Sequence, residues 1–122
     1  MPIDLSGEEL QRLRAAGDRR PFVLAQLLQF APGGREQYLA YSREVQRVLR
    51  ERGATIVYAG ECADPLGAPG TGAWDAIVLV RYPSRTAYAE MLSDPSFQAL
   101  AEMRRKSLRD AVFLVMDDWP GR

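Results

Sequence analysis

Two apolar runs, Phe22 to Phe30 and Ala76 to Tyr82, follow the same grammar along this chain. Each is closed by an aromatic residue, broken by a proline and followed by Arg and Tyr three residues apart. The first meets Pro32, Arg35 and Tyr38, and the second meets Pro83, Arg85 and Tyr88. Short apolar runs that end at proline read as strands, and apolar positions spaced three and four apart behind them read as helices. The chain thus carries an internal strand-turn-helix repeat, offset by about fifty residues.

The first long helix is expected from Arg35 to Arg52, with Tyr38, Tyr41, Ser42, Val45, Val48 and Leu49 as its inward stripe and Gly53 as its stop. The second follows Ser84 as N-cap, is interrupted at Asp94-Pro95, and resumes with Phe97, Leu100, Met103 or Arg104, and Leu108. Each unit is followed by one further strand, Thr55 to Glu61 and Val112 to Met116, and the third strand is read from Trp74 to Tyr82. This β-α-β-β-α-β order is that of a ferredoxin-like α+β fold with an antiparallel four-stranded sheet. Ser6 and Glu9 form a capping box that opens an extra short N-terminal helix, with Leu10, Leu13 and Ala16 on one side and Gly17 as its stop. The expected organisation is one domain over 1–122, with 1–20 as a helical appendage and 21–118 as the core. Gly70-Thr71-Gly72 precedes a strand, not a helix, so it reads as a turn and not as a phosphate cradle.

The third strand is apolar on both parities: Trp74, Ala76, Val78, Val80 and Tyr82 on one, Ile77 and Leu79 between Asp75 and Arg81 on the other. Two helices cover only one face of a four-stranded sheet, so the other face needs a cover. A second copy of the chain, sheet to sheet, supplies it, and a homodimer is expected.

Charge and composition narrow the chemistry. Sixteen basic and sixteen acidic residues cancel, and Arg alternates with Glu along the helices, so no field favours nucleic acid or an anionic membrane. The third strand also lacks the exposed aromatics that RNA-recognition sheets need. Asp4, Glu8 and Glu9 come before any long apolar run, the wrong order for a secretory leader, and no stretch is long enough to span a membrane, so a cytoplasmic location is expected. There is no histidine and a single cysteine, Cys62, which removes the commonest general base and the commonest metal ligands. No metal and no cofactor are expected, and any catalysis falls to Asp, Glu, Tyr or Arg.

The polar and aromatic residues set in apolar strands are Gln26, Tyr58, Glu61, Trp74, Asp75 and Arg81. Each needs a partner or a purpose, because an unpaired buried polar group costs about 1–3 kcal/mol. Glu61, Asp75 and Arg81 fit solvated strand ends or intersubunit ion pairs. Gln26 lies mid-strand between Leu24 and Leu28, with Tyr58 and Trp74 expected on the same face beneath the helices, and Tyr41 and Met103 closing a pocket from above. Its amide is either satisfied by a buried neighbour or waits for a ligand. The second is the expectation, so that Gln26→Leu and Arg104→Met should leave stability near neutral.

Trp74-Asp75, then Val80-Arg81-Tyr82-Pro83-Ser84-Arg85, then Met91, Asp94-Pro95, Phe97-Gln98 and Arg104 resemble a bacterial family of uncharacterised ferredoxin-like proteins, a domain of unknown function in the dimeric α/β-barrel superfamily. The resemblance runs from about Pro21 to Met116, and the short N-terminal helix matches a longer subgroup. The superfamily also holds antibiotic-biosynthesis-type monooxygenases, polyketide cyclases, chlorite dismutase-like haem proteins and stress-responsive barrels. It implies the fold and the dimer, while activity does not travel with fold. Relatives often carry Asn where this chain has Gln26 and His where it has Met103, so the resemblance brings no acid/base or haem-ligand histidine to this chain. The functional expectation is a homodimer binding a small organic molecule, as a metal-free, cofactor-independent isomerase, cyclase or monooxygenase of a polyketide-like or aromatic carbonyl compound. In that scheme Gln26 and Arg104 polarise the carbonyl, Tyr58 or Glu61 moves the proton, and Tyr41, Trp74 and Met103 line the site. The alternative is a non-catalytic ligand-binding or stress-associated dimeric barrel.

Overall fold

The computed structural model describes residues 4–15, 19–64, 66 and 74–121. The expected stop at Ala16-Gly17 and the Gly70-Thr71-Gly72 turn lie outside them. The elements are α1 (Gly7–Ala15), β1 (Phe22–Phe30), α2 (Arg35–Glu51), β2 (Thr55–Glu61), β3 (Ala76–Tyr82), α3 (Arg85–Ser93), α4 (Pro95–Ser107) and β4 (Leu108–Met116). The four strands form one antiparallel sheet in the order β2-β3-β1-β4, open at both edges, which is the ferredoxin-like α+β arrangement.

Local signals set the helix boundaries. In α1 the Ser6 and Glu9 side chains bond each other's backbone N–H at 3.1 and 2.8 Å, a reciprocal cap. The Ser84 hydroxyl accepts from the Ala87 N–H at 3.0 Å and starts α3. Asp94 then separates α3 from α4: its extended backbone ends one helix, its carboxylate accepts from the Ser96 N–H at 2.8 Å, and Pro95 occupies the first turn of the next. At the end of α2, Gly53 adopts φ +72° and the Ala54 N–H returns to the Leu49 carbonyl at 2.8 Å.

Register sorts the strand residues into cross-sheet rows. Under the helices run Ile56-Val80-Leu24-Val115, then Ala59-Val78-Gln26-Phe113, then Glu61-Ala76-Leu28-Ala111. On the opposite face run Thr55-Arg81-Val23-Met116, Tyr58-Leu79-Ala25-Leu114 and Gly60-Ile77-Leu27-Val112. The core lies between the first set and α2, α3 and α4, where Phe22, Leu24, Leu28, Val48 and Met91 are fully buried. α2 packs chiefly on α4, and α1 on α3.

Two expectations need correction. The last strand begins at Leu108, not Val112, because Leu108 and Asp110 already pair with Phe30 and Gln29 across a bulge, and the Arg109 guanidinium bonds Gln29 at 3.2 Å. Leu108 had been read as part of the helix. Trp74 lies before β3; Asp75 extends the ladder, with its N–H bonding the Leu28 carbonyl at 2.7 Å and its carboxylate accepting from the Phe30 N–H at 2.8 Å.

The α4–β4 corner is pinned to the β1–α2 turn. The Ser107 carbonyl accepts from the Ala31 N–H at 2.9 Å, and Gly34 sits so close that an added Cβ would collide with that same carbonyl. Gly34→Ala is therefore expected to lower stability by about 1–3 kcal/mol through backbone displacement. Chemical denaturation checks this, and an unchanged midpoint would contradict the close approach.

Candidate functional site

Between the middle row of the sheet and the helices lies a cavity of about 570 Å³, within the range that holds small organic ligands. Val78, Val80 and Gln26 form its floor, Val45 and Leu49 from α2 one apolar wall, and Met91, Phe97 and Ala101 from α3 and α4 the roof. Leu5 and Leu10 of the N-terminal segment reach it from the rim.

The polar centre of this cavity is Arg104, only 4% exposed. Its position follows from α4: one turn back, Ala101 leaves room above the sheet, and the buried Ser107 hydroxyl donates to the Arg104 carbonyl at 2.7 Å, securing the last turn. One terminal nitrogen donates to Gln26 Oε1 at 2.9 Å and the other to Asp4 Oδ1 at 3.1 Å. The guanidinium lies 5.1 Å from the Phe113 ring centre and also bonds the Tyr38 hydroxyl. Four elements that are distant in sequence thus meet at one cation.

Four tyrosines surround it in two groups. Tyr38 and Tyr41 pack at 5.4 Å between ring centres, and Tyr82 and Tyr88 at 4.7 Å, backed by Phe22. All four rings are buried. Tyr41, Tyr82 and Tyr88 line the cavity together with Tyr38. Burial pushes all four hydroxyls above the ordinary tyrosine range, while the Arg104 charge pulls each of them back. At neutral pH they are protonated hydrogen-bond donors in a largely apolar space.

The sequence profile of the Domain of unknown function DUF1330 matches residues 26–117. The chain belongs to this family. The structure is similar to the crystal structure of a protein of unknown function from Rhodopseudomonas palustris, which is 26% identical over 96% of each chain with a TM-score of 0.84. A dimeric ferredoxin-like protein of unknown function from Jannaschia is 10% identical, with 80% of this chain and 99% of that one covered and a TM-score of 0.63. A Bacteroides thetaiotaomicron protein proposed to be an antibiotic biosynthesis monooxygenase is 19% identical, with 84% and 91% covered and a TM-score of 0.57. No curated protein matches the sequence.

Of the residues singled out from the sequence of this DUF1330 chain, the structure brings Gln26, Tyr41 and Arg104 to the cavity. Met103 is turned about 100° around α4 from Arg104 and packs against the core without lining the cavity. Trp74 is half-buried ahead of β3, away from it. Tyr58 had been expected on the Gln26 face, and this is corrected: a bulge between Ile56 and Tyr58 reverses the strand's parity and leaves Tyr58 on the opposite face, 59% exposed. Glu61 ends β2 at the surface, where Arg35 binds its carboxylate at 2.7–3.0 Å and lowers its pKa. Neither Tyr58 nor Glu61 reaches the cavity. Tyr38, Tyr82, Tyr88 and Asp4 were missed as site residues. The repeat carried a signal for two of them, since Tyr38 and Tyr88 are its equivalent tyrosines.

Two outcomes follow from this geometry. The Gln26 amide oxygen already has a buried partner, contrary to the expectation that it waits for a ligand. Gln26→Leu should therefore strip an acceptor from Arg104 and cost about 1–3 kcal/mol, and a neutral denaturation midpoint would contradict that. The folded chain also holds the cavity tyrosines' protons more tightly than the unfolded chain does. Their stabilising contribution is complete below about pH 10 and is lost as the pH rises beyond it. In an alkaline titration, most of the tyrosinate absorbance at 295 nm should appear only with unfolding; a smooth rise centred near pH 10 in the folded protein would contradict burial.

Proposed function

We propose that this protein binds a small, mostly apolar organic molecule bearing a carboxylate or an enolate-like oxygen, and that it does so as a homodimer. The observation that carries the reading is a buried guanidinium, Arg104, inside a cavity of ligand size that four buried tyrosines also line. A planar cation with fixed donors suits a carboxylate, and its low-dielectric setting strengthens the attraction. Val45, Leu49, Val78 and Val80 suit the body of an aromatic or alicyclic ring.

The chemistry available to such a ligand is polarisation. Arg104 and protonated tyrosines donate toward a carbonyl or enolate oxygen, the arrangement that stabilises developing negative charge. Proton abstraction is less well supplied, because the raised tyrosines are poor bases near neutral pH and the cavity's carboxylate, Asp4, is engaged by Arg104 and Arg105. Binding is accordingly the leading reading, and likeness to a monooxygenase-type fold adds no substrate to it.

The dimer rests on the helix-free face of the sheet. Val23, Ala25, Leu27, Ile77, Leu79, Val112, Leu114 and Met116 share it, and Ile77, Leu114 and Met116 are each more than 40% exposed in the single chain. An apolar surface spanning three cross-sheet rows calls for protein cover, and a second copy presents the matching surface.

Two measurements test the reading. Calorimetric titration with benzoate should show saturable binding that Arg104→Met weakens at least tenfold; no binding by the folded protein across a set of small aromatic carboxylates and carbonyl compounds would overturn it. Light scattering should give twice the chain mass at micromolar concentration, and Leu79→Glu should lower that mass or unfold the chain by burying an unpaired charge. A monomer mass for the unmutated protein would sink the dimer.

A further inference from the structure

The cavity's anchor is already in contact with a carboxylate. Asp4 stands just ahead of α1 and spans two cations, with Oδ1 3.1 Å from Arg104 Nη1 and Oδ2 3.3 Å from Arg105 Nη1. Among the described lining residues it is the one acid, and Arg104 and Arg105 are the two bases. Its position is not accidental to the local sequence. The Ser6–Glu9 cap fixes how the chain enters α1, Leu5 and Leu10 turn toward the cavity, and Leu13 is buried beyond them.

The two ends of this contact differ in strength. Arg104 is almost wholly buried, whereas the Asp4 side chain is 47% exposed. A half-exposed carboxylate on a short segment is a modest partner, because solvent competes for it. Of the groups that meet Arg104 it is the one anion among the described lining residues, and another carboxylate in the same place would supply the same charge.

We infer that Asp4 is a built-in competitor for the ligand's own carboxylate, so that the N-terminal segment works as a displaceable plug on the cavity. This deepens the proposed function and rests on it. A bound carboxylate takes the place of Asp4 on Arg104 and Arg105, its ring enters the apolar part of the cavity, and Leu5 and Leu10 give way at the rim. Monocarboxylates of ring size are the matching class, since replacing Asp4 with one such anion restores the same charge balance. The consequence is an affinity set partly by the protein's own segment: apparent binding is weakened by the fraction of time the plug is in place.

The experiment compares benzoate binding to the unmutated protein, Asp4→Asn, Asp4→Ala and Arg104→Lys by calorimetry, after melts show that each variant is folded. Removing the Asp4 charge is expected to tighten benzoate binding about fivefold in both Asp4 variants, in keeping with a half-exposed ion pair. In the unmutated protein, saturating benzoate should speed backbone amide exchange over Gly7–Ala15. Equal or weaker binding by the Asp4 variants, or slower exchange in α1, overturns the plug while leaving the proposed function standing. Absence of binding by all folded forms, or affinity indifferent to Arg104→Lys, overturns the proposed function and the plug with it.

Discussion

A guanidinium held beneath two helices must be met on every side, and the architecture around Arg104 follows from that requirement. A buried cation without partners costs several kcal/mol. Here the cost is offset by Gln26 from the central strand, Tyr38 from α2, Asp4 from the N-terminal segment and the face of Phe113 from β4. One side chain therefore ties the sheet, the long helix and the N-terminal segment to α4. Arg104 and the four tyrosines also line the cavity, whose polarity is that of this centre.

The sheet divides the molecule's tasks between its faces. Rows containing Leu24, Gln26 and Leu28 are covered by helices and build the core and cavity, while rows containing Val23, Ala25 and Leu27 face away from any helix. Covalent continuity links these tasks: β1 alternates one residue for the cavity with one for the proposed partner, so a shift of register by one residue would exchange them. Charged residues guard the ends of the same strands. Arg81 pairs with Asp118, and Arg85 with Asp117 while stacking on Phe22, which draws the chain beyond β4 against β3 and α3.

Much of the fold was legible because local chemistry and periodicity agreed. The repeat, the Ser6–Glu9 box, Ser84, Asp94-Pro95 and Gly53 each have one natural structural reading, and each adopts it. The start of β4 was hidden because Arg109 and Asp110 suit a helix surface as well as a strand edge, and only pairing with β1 decides between them. The cavity lining was legible in Gln26, Tyr41 and Arg104, which are polar or amphipathic residues on otherwise apolar stripes. It was illegible where parity was counted through the bulge at Val57, which sends Tyr58 to the other face. Asp4 could not be found by pattern at all, since a contact across a hundred residues leaves no periodic trace.

If Arg104 anchors a ligand's negative charge, a crystal structure of the protein grown with benzoate will show the carboxylate within hydrogen-bonding distance of an Arg104 terminal nitrogen, with the ring lying between α2 and the Val78-Val80 floor. Benzoate bound elsewhere, with Arg104 still held by Asp4 and Gln26, would contradict it.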